Sequence, residues 1–296
     1  MSKTKTDAPS SSLRDYIRLT KPGVLAGNVI TAVAGFFLAA AGDVNWLTFA
    51  AMLVGITLVI AAACVINNYL DRDIDAVMER TKNRPSVRGD IPGWHMVLFG
   101  TALGVIGTAI LAIGTNWLTV AIGLLGFITY VWLYGAWSKR QSVHGTLVGA
   151  ISGALPIAGG YAAASGQFDI GLVIVFLIIF FWQFPEFYSI SIYRRREYAA
   201  AKVPLMSVVH GVKSTIRQIY IYTVLYVLST VALVLTGHVG LIYLIVMGVT
   251  GLYWIYLANI GLTTKQPEIW SRRMFKFSMY AILILCLMLS VGPLLP

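Results

Sequence analysis

Three oxygen-bearing side chains, Asn67, Asp71 and Asp75, recur every fourth residue in the segment Asn67-Asn68-Tyr69-Leu70-Asp71-Arg72-Asp73-Ile74-Asp75. On a helix that spacing stacks all three on one face, with about 6 Å between levels. Two carboxylates so placed repel each other by roughly a few tenths of a kcal/mol in water, and by more beside a low-dielectric membrane. A divalent cation among them removes the repulsion. Oxygen donors of this kind suit Mg2+, which keeps part of its water and bridges one or two carboxylates to the phosphates of a substrate. The residues just downstream suit a phosphate as well: Arg80 and Arg84 offer forked donors, Lys82 a point charge, and Pro85 a helix end. Asp73 stands about 200° around the same helix from Asp71 and is expected to face elsewhere.

A second polar cluster closes a later apolar run, Phe181-Trp182-Gln183-Phe184-Pro185-Glu186, and continues to Tyr193-Arg194-Arg195-Arg196-Glu197-Tyr198. If the helix carries on past Pro185, steps of four, three and four put Glu186, Ile190, Tyr193 and Glu197 on one face. Carboxylates near hydrocarbon are costly without partners, which favours a function for Glu186 and Glu197. Arg195 and Arg196 fit equally well as part of an interfacial belt of aromatic and basic residues.

The elements that must carry both clusters are membrane helices. Of 296 residues 58% are hydrophobic and only 11% charged, with a mean hydropathy of +0.78, against a charged fraction of about 25% in an ordinary soluble domain. The apolar residues come in runs near the ~20 needed to cross a bilayer as helix, without the alternation of a membrane barrel. Nine such runs are predicted, at 22–41, 46–68, 93–113, 117–135, 146–164, 168–188, 216–237, 239–260 and 274–294. The fold class is therefore all-α: a polytopic nine-helix bundle with its active site at the cytoplasmic side. Residues 1–20 read as a disordered polar tail with no cleavable signal, and 21–296 as one transmembrane domain.

An odd number of spans places the termini on opposite faces. All 22 Lys and Arg residues then fall on the face of the N-terminus. The opposite loops hold Asp43 and Asp169 and no positive charge. By the positive-inside rule the basic face is cytoplasmic. The net charge of +10 thus reports topology rather than a nucleic-acid partner, which would need a basic soluble module. Cys64 and Cys286 lie inside predicted spans, against a disulfide framework or thiolate metal site. Gly100, Gly104 and Gly107, and Gly149 with Gly153, form small-residue faces suited to close helix packing.

Asn-x-x-x-Asp-x-x-x-Asp after a second span, with another polar cluster after the sixth, resembles the UbiA superfamily of intramembrane prenyltransferases over nearly the whole chain. The fuller string from Asn67 to Asp75, with Met78, Arg80, Thr81 and Arg84, then Trp182-Gln183-x-Pro185 and the Arg-rich stretch ending at Glu197 and Tyr198, resembles its heme-farnesylating branch. What the resemblance implies is transfer of farnesyl from farnesyl diphosphate to a vinyl group of heme B, with water adding to give heme O. It further implies Mg2+ on Asn67, Asp71, Asp75 and Glu197. Catalytic roles fall to Asp71, Asp75, Tyr193 and Glu197, and diphosphate contacts to Asn67, Arg80, Lys82, Arg84 and Arg194. Heme contacts are expected among Arg195, His144 and His210, with Lys139 and Arg140 as further partners for propionates. The setting would be the bacterial cytoplasmic membrane, with heme-copper oxidase assembly or heme A synthase as partners. Two departures stand out: Glu186 occupies the place where that branch usually has His, and Glu197 the place of an Asp. A sister enzyme acting on a quinone precursor or a chlorophyll-type alcohol would share the first cluster. A secondary transporter would instead favour acids at the midplane of broken helices.

Overall fold

The computed structural model describes residues 12–296; the expected tail over residues 1–11 lies outside them. Residues 13–19, expected to be disordered, form a short helix, α1 (Leu13–Leu19). Ser12 and Asp15 close a reciprocal capping box at its start. Three contacts moor it: Asn68 Nδ2 donates to Leu19 O at 2.7 Å, Tyr16 Oη meets His95 Nδ1 at 3.2 Å, and Arg88 Nη2 donates to Asp15 Oδ1 at 3.5 Å.

The chain continues as α2 (Pro22–Ala40), α3 (Trp46–Leu70), α4 (Arg72–Val77), α5 (Pro85–Arg88), α6 (Gly93–Gly114) and α7 (Trp117–Ile128). A π-helical stretch, Thr129–Ser138, and the turn α8 (Lys139–Gln141) prolong α7. Then follow α9 (Gly145–Ser165), α10 (Ile170–Tyr193), α11 (Arg195–Ala200), α12 (Met206–Val209), α13 (Gly211–Leu235), α14 (Leu241–Thr263) and α15 (Pro267–Val291). Among the described residues nine helices are long and apolar enough to cross a membrane, matching the nine predicted runs. Four differ by five or more residues at one end: the sixth runs on to Tyr193 rather than 188 and the seventh starts at Gly211 rather than 216, and two differ by more. The fourth reaches Gln141 rather than 135 because the π-helix carries it on. The ninth starts at Pro267 rather than 274, because its first turns are amphipathic and precede the apolar run.

The starts of three spans are fixed by side chains that accept from otherwise unpaired backbone N–H groups. Asn45 caps α3, Asn116 caps α7 and Asp169 caps α10. Large apolar side chains such as Leu47, Ile113 and Leu235 point outward, as a bilayer requires. The protein is a multi-pass membrane protein.

Association inside the bundle relies on small residues, since lipid offers no hydrophobic drive between helices. α3 packs along α6, where a Cβ on Gly107 would meet Leu58 Cβ at 2.8 Å and Gly55 O at 2.9 Å. α2 packs along α9; a Cβ on Gly160 would run into the Ala32 backbone, and one on Gly35 into Ile157 O. Gly100 meets Ile66 at 2.8 Å by the same measure, whereas Gly104 has only an ordinary contact with Ala62 at 3.5 Å. Gly149 and Gly153 do not pack helix on helix; they make room for Tyr134 and Gln183.

Candidate active site

One face of α3 shows how the site is built. Ile56, Val59, Ile60, Ala63, Cys64, Asn67 and Asp71 all line a single cavity of about 650 Å3. The apolar members run from the bundle interior toward the helix end, over about 16 Å from Ile56 to Asn67, and the polar members finish the row. α9 and α10 close the far wall with Leu155, Ile179, Trp182 and Gln183. Gln183 is held by donating from Nε2 to Ala150 O at 2.9 Å, and Trp182 Nε1 donates to Ser278 O at 3.0 Å. The result is a mostly apolar cavity with a strongly polar head, and with Gln183 and Glu186 as polar groups on its α10 wall.

At that head the helix breaks without losing its register. α3 ends at Leu70, Asp71 takes up a non-helical conformation, and α4 resumes at Arg72. Asp71 N nevertheless donates to Asn67 O at 2.9 Å and Asp75 N to Asp71 O at 2.8 Å. Asn67, Asp71 and Asp75 consequently still share a face, all buried to within 3% of full and all facing the cavity. Asp73 points away, exposed and bound by Arg140 at 2.6 and 2.8 Å. That pairing holds its carboxyl down at about 2.

Each rung of the ladder faces a cation. Lys139 Nζ donates to Asp71 Oδ2 at 2.5 Å, with an Arg140 nitrogen 3.8 Å from Oδ1. Arg84 Nη1 donates to Asp75 Oδ2 at 2.5 Å and to Asn68 Oδ1 at 3.1 Å. Lys21 Nζ donates to Asn67 Oδ1. Lys21 is bent into the left-handed region at φ 52°, which costs a side-chain-bearing residue about 1–2 kcal/mol; its contact with Asn67 opposes that cost. Burial pushes its ammonium down to about 8, with Arg84 and Lys139 adding to the shift. Tyr130, Tyr134 and Arg80 complete the head.

The donor set suits a hard divalent cation. Two carboxylates and an amide oxygen converge on one space, and Asp71 Oδ1 is buried with no hydrogen bond. Asn67 Nδ2 is also without a hydrogen bond, and Gly135 makes room for it: a Cβ there would come within 2.8 Å. Among the described residues no three carboxyl, imidazole or thiol groups stand close enough to share a metal. Any cation here would rest on two carboxylates and take its remaining oxygens from water and substrate.

Other residues singled out from the sequence lie outside the cavity lining. Tyr193 packs against Phe275, with ring centroids 6.0 Å apart, and beneath Arg272 at 4.7 Å. It is two turns past Glu186, on the stretch of α10 that packs on α15 outside the lining. Glu197 is held by Arg194 at 3.2 Å; the chain breaks at Arg194, so the periodicity that pointed to Glu197 stops there, and Tyr198 reaches the cavity instead. Lys82 pairs with Glu79 at 2.7 Å. Arg195, His144 and His210 are exposed. Conversely, Lys21, Tyr130 and Tyr134 belong to the head, and sequence reasoning placed Lys21 only among the topology charges. An aromatic pair four residues apart beside Lys139 and Arg140 was the available signal for Tyr130 and Tyr134.

Comparison with known proteins agrees with this fold. Residues 28–282 match the model of the UbiA prenyltransferase family. The chain is 43% identical over 279 residues to a protoheme IX farnesyltransferase of Chromohalobacter salexigens, covering 94% of this chain and 95% of the relative. It is 42% identical, at 94% coverage of both, to the same-named protein of Serratia proteamaculans. In fold it is similar to a digeranylgeranylglyceryl phosphate synthase (TM-score 0.81, 18% identity, covering 95% of this chain and 98% of that one). An Archaeoglobus fulgidus UbiA homologue bound to GPP and Mg2+ is also similar (TM-score 0.70, 17% identity, 93% and 99% covered).

Proposed function

The chain belongs to the UbiA prenyltransferase family, and from that premise we propose that it transfers farnesyl from farnesyl diphosphate to a vinyl group of protoheme, with addition of water, giving heme O. The observation that carries the reading is the placement of the Asn67–Asp71–Asp75 ladder, each rung cation-paired, at the head of a mostly apolar cavity. The relatives at 42–43% identity, named protoheme IX farnesyltransferases, support protoheme as the acceptor.

In this reading the diphosphate sits at the polar head. Arg84, Lys139, Lys21 and Arg80 bind its oxygens, exchanging their present carboxylate and amide partners for phosphate. Asp71 and Asp75 with Asn67 would hold Mg2+, which would supply positive charge against the leaving diphosphate. The farnesyl chain lies along the apolar row of α3, where the dry wall keeps water from the allylic cation. The faces of Tyr130, Tyr134 and Trp182 offer that cation a favourable quadrupole. Glu197, adjacent in sequence to the cavity-lining Tyr198 and held by Arg194, is proposed as a rim ligand for the arriving metal diphosphate. The basic face is proposed to be cytoplasmic, in a bacterial cytoplasmic membrane, because every Lys and Arg segregates to it.

The test is direct. Purified protein in lipid, supplied with Mg2+, farnesyl diphosphate and protoheme, should yield heme O and diphosphate. Prenylation of an aromatic quinone precursor, with heme left unchanged, would move the enzyme to the sister class.

A further inference from the structure

Three carboxyl groups line the cavity: Asp71, Asp75 and Glu186. The first two are tied to Lys139 and Arg84. Among the described residues Glu186 has neither an ion pair nor a hydrogen bond, although it is half-buried and sits well inside α10. It lies seven residues, about 10 Å, inward of that helix's end at Tyr193, whereas Asp71 caps the very end of α3. Its neighbours on the lining face of α10 are Trp182, Gln183, Phe187 and Ile190. Gln183 spends its amide N–H groups on Ala150 O and Ile179 O and leaves Glu186 without a donor there.

A half-buried acid with no partner is costly within a membrane span. Packing does not call for it, since a leucine or phenylalanine would fill the same wall. Nor does the diphosphate: a carboxylate beside it would repel it, and no cation stands by Glu186 to offset that. The acid therefore faces the part of the cavity that the diphosphate leaves open, on the α10 wall across from the α3 row given above to the farnesyl chain, where the acceptor would approach. There the chemistry contains one step that needs a base.

We infer that Glu186 is the catalytic base that takes the proton from the water added to the prenylated acceptor. The inference rests on the proposed heme prenylation. The terminal vinyl carbon forms a bond to C1 of the farnesyl group as the C1–O bond to diphosphate breaks. The electron deficit then lies on the vinyl carbon attached to the porphyrin. The oxygen of water bonds to that carbon, and the O–H electron pair stays with oxygen as Glu186 accepts the proton. No oxidant or reductant is consumed. Before it is protonated, the carboxylate also opposes the positive charge on the neighbouring carbon. Without a base for water, the same cation is quenched by loss of a proton from the adjacent CH2, which gives an alkene lighter by one water.

Product partition tests this, using full-length protein in lipid with Mg2+, farnesyl diphosphate and protoheme, read by mass spectrometry. In Glu186→Gln, diphosphate release and loss of protoheme should continue. The hydrated product should fall by about 10²-fold, the lower range for removal of a general base, and the alkene should replace it. Glu186→Asp, which retracts the carboxylate by one methylene, should give an intermediate ratio, and it carries the test if the Gln variant does not accumulate. An unchanged ratio of hydrated to alkene product in either variant overturns the inference. So does loss of diphosphate release in a variant that is extracted in normal yield, because Glu186 would then act before the carbon–carbon bond forms. If wild-type protein leaves heme unmodified, the underlying reading fails instead, and the two failures are told apart by that control.

Discussion

Lys139 Nζ donates to Asp71 Oδ2 at 2.5 Å across 68 positions of sequence, joining the end of the fourth span to the cap of the second. The bond makes Asp71 both a candidate metal ligand and the anchor of a buried cation. Asp71→Asn should lower Mg2+-dependent turnover by about 10²–10³-fold, the scale of losing one preorganised electrostatic group. Asp75→Asn should do the same through Arg84. Because each leaves a partly buried cation without its counter-charge, extracted protein should also be less stable, by about 3 kcal/mol or less. Turnover and thermal midpoint measured side by side check both effects. Wild-type turnover in Asp71→Asn at ordinary Mg2+ would remove the metal role.

Asp73 is the internal control, one helix face away and exposed. Its pairing with Arg140 is a surface bond worth under about 1 kcal/mol, so Asp73→Asn should keep most activity. Its folded carboxyl titrates at about 2, below the ordinary 3.8. The stability it adds is thus present above about pH 4 and is lost as pH falls toward 2. The difference in unfolding midpoint between wild type and Asp73→Asn should shrink over that window and vanish below it. A difference that stays undiminished between pH 4 and pH 2 would mean that the pair does not act through charge.

The α2–α9 crossing gives a third prediction. A Cβ at Gly160 has only the Ala32 backbone to displace, so Gly160→Ala should destabilise by about 1–3 kcal/mol. Gly104→Ala, with an ordinary 3.5 Å contact, should be close to neutral. Thermal unfolding in detergent separates them. Equal midpoints would refute the backbone-to-backbone packing of α2 on α9.

The charge segregation predicts the orientation. A reporter fused after Pro296 should behave as periplasmic and one before α1 as cytoplasmic. A cytoplasmic signal from the C-terminal fusion would overturn the odd number of spans.

Periodicity is a local signal, and the parts of the site that it governs were legible. Asn67, Asp71 and Asp75 sit on one stretch whose hydrogen bonds keep helical register through the break at Asp71, and the apolar runs located all nine spans, with four ends extended by five to seven residues where polar or amphipathic turns continue the helix. Lys21 and Lys139 were not legible as ladder partners. They meet it from 46 and 68 positions away, a pairing set by how helices cross rather than by any spacing. Tyr193 and Glu197 illustrate the converse. Their spacing from Glu186 is helical, but Tyr193 lies beyond the cavity's reach and the helix stops at Arg194 before Glu197. Gly35 and Gly160 escaped notice because each is one half of a contact whose other half is backbone, which has no sequence signature.

The π-helical stretch Thr129–Ser138 acts as a phase adjustment between two parts of one span. Each residue of an α-helix advances the side-chain direction by about 100°, so a single residue more or less upstream decides where everything downstream points. Read in that way, the wide turns set the angle at which Gly135 passes Asn67 and Lys139 arrives at Asp71. Many substitutions within 129–138 would leave that angle intact. Deleting any one residue there would rotate Lys139 and Arg140 together, releasing Asp71 and Asp73 in the same event, and this segment should tolerate changes of letter far better than changes of length.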